Sequence, residues 1–288
     1  MKKGKTPIWK KALGAIGGMI YKLLVFIWGA AKWIAVSLFH LFVKLFESIF
    51  HLTRNSITGA IGKQKRPKDA AQKAEFVVLE TASGNFADFE NYLLSSKSSI
   101  GIVLGARGSG KSALGMRILE NVHAKKGRKV AAMGFQKESI PNWIASVEKL
   151  EEIPNGSFVL VDEGGIIFSA RESLSDANKI LSELLLISRH KDLSVLFISQ
   201  NSSNLDINAL RQADYLLLRK SSLLQKDFER KKIQEVYTEA KPLFDKFGSE
   251  RQKITYIYSD DFRGIISNPL PSFWSEKASK GFSGFKPK

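Results

Sequence analysis

The chain has 288 residues, 44% of them hydrophobic, enough for one large domain or one domain with an appendage. It has no cysteine and four histidines, which excludes disulfides, thiolate metal sites and a cysteine nucleophile, and leaves little for a histidine-rich metal centre. The net charge of +16 sits at the ends: residues 1–74 carry 14 Lys and Arg against Glu47 and Asp69, residues 272–288 carry four Lys against Glu276, and the stretch between holds 26 basic and 25 acidic residues.

Ile8 to Leu52 is apolar and aromatic, with Trp9, Trp28 and Trp33. Placed on a helix, Lys11, Lys22, Gly29, His40, Lys44, Glu47 and His51 fall within roughly 60° of one another, with Lys32 about 80° from their centre. The rest of the surface is almost wholly apolar, the inverse of a soluble surface helix. Three readings follow. One is a helix buried in a core or an oligomer interface. Another is a membrane span near Leu23 to Val43, close to the ~20 residues a bilayer needs, with Lys32 and His40 as its costly residues. The third is an interfacial helix with its Lys residues toward lipid phosphate. A single span in front of a cytoplasmic domain would leave Lys2, Lys3, Lys5, Lys10 and Lys11 outside, against the positive-inside bias. A hairpin breaking near Gly29 or an in-plane helix avoids that conflict. The apolar run is too long for a cleavable signal peptide and ends in no clear cleavage site. The expectation is a membrane-associating helical segment over 1–52 on an anionic membrane, its topology open. Residues 53–74 are polar, basic and small and read as a linker, whose Lys63, Lys65, Arg66 and Lys68 can also sit on headgroups.

From Glu75 the pattern alternates. Strands are expected at 75–80, 100–104, 129–134, 157–162, 194–199, 214–219 and 253–258, and helices at 111–124, 141–151, 175–189, 222–236 and 239–247. Short apolar strands separated by helices mean an α/β domain, 75–267, with a mostly parallel sheet covered on both faces. Residues 268–288, rich in Ser, Gly, Pro and Lys, read as a flexible basic tail.

Gly105 to Ser112, GARGSGKS, matches the phosphate-loop pattern GxxxxGK[ST] between an expected strand and an expected helix. Glycines let the backbone turn tightly so that its N–H groups face phosphate oxygens, and the helix that follows adds its N-terminal dipole. Lys111 would place a cation on the β- and γ-phosphates of ATP, and Ser112 a hydroxyl on Mg²⁺. The binding set is Gly105, Ala106, Arg107, Gly108, Ser109, Gly110, Lys111, Ser112 and Ala113. Phe158 to Asp162 is an apolar run ending in a carboxylate, with Glu163 next. A buried strand ending there brings Asp162 to the sheet edge that carries the phosphate loop, where it can hold Mg²⁺ while Glu163 polarises the attacking water. A third run ends Ser199-Gln200-Asn201, and a polar amide just past that strand, Gln200, can sense the γ-phosphate or position water. Arg189, in Ser188-Arg189-His190-Lys191-Asp192, is the candidate arginine finger acting in trans, with Arg171 and Arg211 as rivals.

The combination GARGSGKS, FVLVDEGG and ISRHKDLSVLFISQNSSNLD, over roughly residues 98–220, resembles the FtsK/HerA superfamily of P-loop ATPases. Within it the chain is similar to zonular occludens toxin-like proteins of filamentous-phage assembly, and to viral genome-packaging ATPases. The resemblance implies a RecA-like core, homo-oligomeric rings that are usually hexamers, and ATP-driven movement of DNA. By position it implies that Lys111 and Ser112 bind nucleotide and Mg²⁺, that Asp162 and Glu163 are the Walker B pair, and that Gln200 is the sensor. Phage-assembly relatives generally carry a membrane segment after the ATPase domain, whereas here the apolar segment precedes it. The function expected is a membrane-associated ATPase, its catalytic domain on the cytoplasmic side or in a virion membrane, moving double- or single-stranded DNA. The alternatives are an ATPase acting on coat or virion proteins and a nucleotide-gated membrane scaffold.

Overall fold

A computed structural model describes residues 28, 44, 70–163, 174–248 and 253–275. The chain divides into two units, residues 1–64 and residues 65–288. Of the first, Trp28 and Lys44 are described, each in helical backbone. The segment expected over 1–52 and most of the 53–74 linker therefore lie outside the described residues. No helix among the described residues is long and apolar enough to cross a membrane.

The second unit is built on one sheet of nine described strands: β1 (Val78–Gly84), β2 (Ser99–Leu104), β3 (Val130–Met133), β4 (Ile144–Val147), β5 (Phe158–Asp162), β6 (Ser194–Ile198), β7 (Tyr215–Leu218), β8 (Ile254–Ser259) and β9 (Phe262–Ser267). Their order is β1-β9-β8-β7-β2-β6-β5-β3-β4. From β7 to β4 every pairing is parallel, and β8, β9 and β1 add an antiparallel edge. This is the mostly parallel α/β architecture the sequence implied.

The central strands are apolar without interruption because both faces are covered. Alternate residues enter two cores. Ile102, Val159, Val161, Val195 and Phe197 face one. Val103, Phe158, Leu160, Leu196 and Ile198 face the other. The first core is covered by α3 (Leu174–His190), α4 (Ile207–Arg211) and α6 (Lys231–Lys246). The second is covered by α1 (Phe86–Ser95) and α2 (Lys111–Lys126). α2 ends at Gly127, whose φ of +63° suits glycine and whose N–H caps His123 O.

Several sequence expectations give way. The helix expected at 141–151 is instead β4, paired in parallel with β3, between two short 3₁₀ turns. Pro141 and the β-branched Ile144 and Val147 suit an edge strand better than a helix. The helix expected at 222–236 breaks into α5 (Leu223–Phe228) and α6 at Glu229 and Arg230. That break is fixed by tertiary bonds: Ser202 N–H donates to Glu229 Oε2 (2.7 Å), and Arg230 N–H donates to Ser202 Oγ (3.0 Å). α6 then runs through Pro242, held by a buried face of Ile233, Val236, Tyr237, Ala240 and Phe244.

Both boundaries of the domain also move outward. Residues 72–74 and 270–272 bond to α2. Gln72 N–H donates to Glu120 Oε1 (2.9 Å), and Ala74 exchanges hydrogen bonds with the Asn121 side chain. Arg117 donates to Gln72 O and Leu270 O, Ser272 N–H donates to Glu120 Oε2, and Phe273 is buried. The tail expected from residue 268 is thus part of the fold as far as these contacts reach.

Candidate nucleotide site

The phosphate loop leaves the C-terminal end of β2 and enters α2. The pairing that builds the site is direct. Val103 of β2 and Asp162 of β5 both align with Ile198 of β6, which lies between those two strands. The sheet thus carries the loop, the strand ending in Asp162 and the strand leading to Ser199 and Gln200 to one edge.

Gly105, Gly108 and Gly110 have φ of +151°, +74° and +88°, backbone that L side chains rarely adopt. A Cβ on Gly108 would meet nothing within 4 Å, so this backbone is open to an incoming group. Gly105 is glycine for a different reason: a Cβ there would lie 2.5 Å from Arg219 Cβ. Arg107 is exposed, while Lys111 and Ala113 are buried at the first turn of α2.

Lys111 Nζ donates to Gly105 O (2.7 Å) and Ala106 O (3.0 Å), so the loop wraps its own cation. Burial brings the Lys111 pKa down to about 8, and the Arg219 charge pushes the same way, while Asp162 and Glu163 oppose. A phosphate is a far stronger partner for this ammonium than two carbonyls. Ser112 Oγ donates to Asp162 Oδ2 at 2.9 Å, which brings the hydroxyl and carboxylate together. These two hard oxygen donors suit Mg²⁺, which takes one or two protein ligands and fills its shell with water and phosphate oxygens. Among the described residues no group of three or more His, Asp or Glu forms a cage for a metal.

Glu163 is buried, and burial raises its pKa above the ordinary carboxylate range, with Asp162 adding to the effect. Hydrogen bonds from Ser199, Asn204 and the Gln200 backbone oppose that rise. A carboxylate whose pKa is raised is a stronger general base than an ordinary one. Gln200 is exposed at the end of β6, with its backbone bonded to Glu163, and its carbonyl accepts from Gln225 Nε2. The structure therefore brings Lys111, Ser112, Asp162, Glu163 and Gln200 to one place.

It does not bring Arg189 there. Arg189 is exposed in the last turn of α3, before β6 begins, at the edge of the sheet opposite the phosphate loop. Arg211 ends α4 before β7, at that same far edge, and Arg171 lies outside the described residues. Sequence reasoning missed Arg219, Asn204 and Gln225. The one local signal was for Arg219, a charge directly after the four apolar residues of β7.

This arrangement is the chemistry of a P-loop ATPase: a glycine-rich cradle, a buried cation for phosphate, two oxygen donors for a cation, and a raised carboxylate beside them. No family model matches the chain, and no curated protein matches it. Among the solved structures it is similar to are the following three. The genome-packaging NTPase of Sulfolobus turreted icosahedral virus 2, in complex with ATPγS, is similar at 15% identity and a TM-score of 0.43, over 61% of this chain and 100% of that one. ATPases 2 and 3 of EssC from Geobacillus thermodenitrificans are similar at 10% identity and a TM-score of 0.39, over 75% of this chain and 49% of that one. The N-terminal domain of zonular occludens toxin from Neisseria meningitidis is similar at 16% identity and a TM-score of 0.34, over 64% of this chain and 97% of that one.

Proposed function

We propose that the chain is a membrane-associated, ring-forming ATPase that couples ATP hydrolysis to movement of DNA, in packaging a viral genome or exporting virions. The observation that carries the ATPase part is the meeting of Lys111 and Ser112 with Asp162 and Glu163 across three aligned strands. Bound Mg²⁺, held by Ser112 and Asp162, would neutralise charge on the phosphate oxygens. Lys111 turns from its loop carbonyls to the β- and γ-phosphates. Glu163 takes the proton of the attacking water, and Gln200 orients that water or the γ-phosphate. Arg189, remote from its own site, would serve a neighbouring subunit in a ring.

DNA needs cations facing it. Arg230 donates to the carbonyls of Ser202 and Leu205, and Lys232 pairs with Glu235, so both have other partners. Arg107, Arg211, Lys220, Lys226 and Lys231 are the other candidate DNA contacts, together with Lys191, whose Nζ donates to Ile153 O (3.4 Å), and Arg171, which lies outside the described residues. One observation favours a second reading, an ATPase that moves coat protein: residues 75–271 hold 26 basic against 25 acidic residues. The test is ATP turnover with and without double-stranded DNA, single-stranded DNA and anionic liposomes. Stimulation by DNA supports the first reading. Turnover indifferent to both DNA forms removes it and leaves the second.

A further inference from the structure

Arg219 is among the largest fully buried side chains, at 0% exposure. It follows β7, the strand beside β2, and its backbone continues their ladder: Arg219 N–H donates to Leu104 O (2.7 Å), and Ala106 N–H donates to Lys220 O (3.2 Å). Its guanidinium faces two ways. Nε and Nη2 both donate to the Ser109 carbonyl, at 2.8 and 2.6 Å. Nη1 donates to Ile254 O, Thr255 Oγ1 (3.1 Å) and Asn268 Oδ1 (2.5 Å). The fork thus joins the phosphate loop to β8 and to the segment after β9. That anchor is firm. Thr255 Oγ1 donates to the same Asn268 oxygen (2.7 Å), and the chain just beyond it is held to α2 by Arg117 and Glu120.

We propose that Arg219 is a positioning residue for ATP, holding the Ser109–Gly110 peptide in the orientation that presents the Gly110 N–H to phosphate. In a planar trans peptide the C=O and N–H point to opposite sides. Fixing the Ser109 carbonyl against Arg219 therefore fixes the Gly110 N–H on the side away from Arg219. Gly110 is the residue just before Lys111 and the N-cap of α2, where donors are needed for an anion. Two N–H groups converging on one carbonyl resist rotation of that peptide better than a single donor does. Only arginine presents such a planar fork, and lysine carries the charge without it. Gly105 fits the same device: its missing Cβ is what lets Arg219 approach the loop. The inference rests on the reading of the loop as an ATP site.

The experiment compares the full chain with Arg219→Lys and Asn268→Leu, by ATP affinity, steady-state kinetics and thermal unfolding. Arg219→Lys keeps the charge and loses the fork. Its Kd and KM for ATP should rise about tenfold or more, while kcat at saturation stays within about threefold. Asn268→Leu leaves the loop and Arg219 in place and removes the anchor; Kd and KM should rise about threefold. Unchanged Kd and KM in both variants would overturn the inference, and so would a lower Tm with both constants at wild-type values. If Arg219→Lys does not fold, Asn268→Leu decides: a raised KM at normal kcat supports the role, and an unchanged KM removes it. Failure of the wild-type chain to bind ATP is a distinct result, which removes the ATPase reading and this inference with it.

Discussion

Replacing Lys111 by methionine should make the protein more stable while abolishing its grip on ATP. Lys111 is 7% exposed, and its pKa is brought down to about 8 from an ordinary 10.5. That difference is a penalty of roughly 3 kcal/mol on the charged form in the folded chain. Methionine fills much the same volume without the charge. It forfeits the hydrogen bonds to Gly105 O and Ala106 O, at about 1 kcal/mol each, which leaves a net gain of about 1 kcal/mol at pH 7. The sign with pH follows from the lowered folded pKa. The penalty is fully present below about pH 8, and it fades as pH rises from about 8 toward 10.5. Wild type therefore gains stability through that window, the Lys111→Met variant has nothing to gain, and the gap closes and reverses. The assay is urea unfolding of both chains at pH 7 and near pH 10, each with and without MgATP. MgATP should raise the midpoint of wild type and leave that of Lys111→Met unmoved. A variant less stable than wild type at pH 7, or a gap that does not change with pH, would refute the reasoning.

Glu163→Gln should keep ATP affinity within about threefold and lower kcat by about a hundredfold or more, since the amide cannot take a proton from water; collapse of affinity with persisting turnover would make Glu163 structural. Because burial raises the Glu163 pKa in the ligand-free chain, the acid limb of the wild-type kcat/KM profile, which reports the free enzyme, should lie above the ordinary carboxylate range, and a limb at or below that range would count against its role as base. Arg189→Ala subunits, inactive alone, should regain part of their turnover when co-assembled with Glu163→Gln subunits, because some mixed interfaces then hold both groups. No rescue despite proven co-assembly would exclude Arg189 as the finger. The intact chain should float with anionic liposomes, and a chain starting at Ala70 should not, while still binding ATP; a full-length chain that ignores liposomes would point to an oligomer core instead.

What the sequence made legible is what local pattern encodes. β2, β5 and β6 announce themselves as continuous apolar runs, and the residues at or just past their ends, Gly105, Asp162 and Ser199, fall at the site because parallel strands share an edge. The first helix, α1, is equally readable in the sequence. Asn85 caps it by accepting from Ala87 N–H (3.0 Å), and Phe86, Phe89, Leu93 and Leu94 mark one face. β9 was legible too, as an apolar run behind the Asp260–Asp261 turn. Other features were not open to a local reading. Arg219 takes its role from Ser109 and Asn268, which are 110 and 49 residues away. The break between α5 and α6 depends on Ser202, and no propensity at Glu229 or Arg230 encodes it.

The outer face of α2 explains why the ends of the ATPase unit could not be placed by composition. Arg117 and Glu120 form an ion pair of 2.9 Å at 4% and 0% side-chain exposure. A pair buried this deeply is costly unless its remaining donors and acceptors are met. They are met from outside the helix, by the backbone of Gln72 on one side and by Leu270 and Ser272 on the other. Gln72, Leu270 and Ser272, which lie in stretches that composition reads as linker and tail, are therefore what makes the buried pair tolerable. They are fastened to the same helix whose first residues, Lys111 and Ser112, are proposed to hold phosphate. Arg219 adds a second tie, from the loop itself to Asn268. Residues on both sides of the sheet region, Gln72 and Ala74 before it and Asn268, Leu270 and Ser272 after it, are thus bonded to the loop and helix proposed to bind ATP.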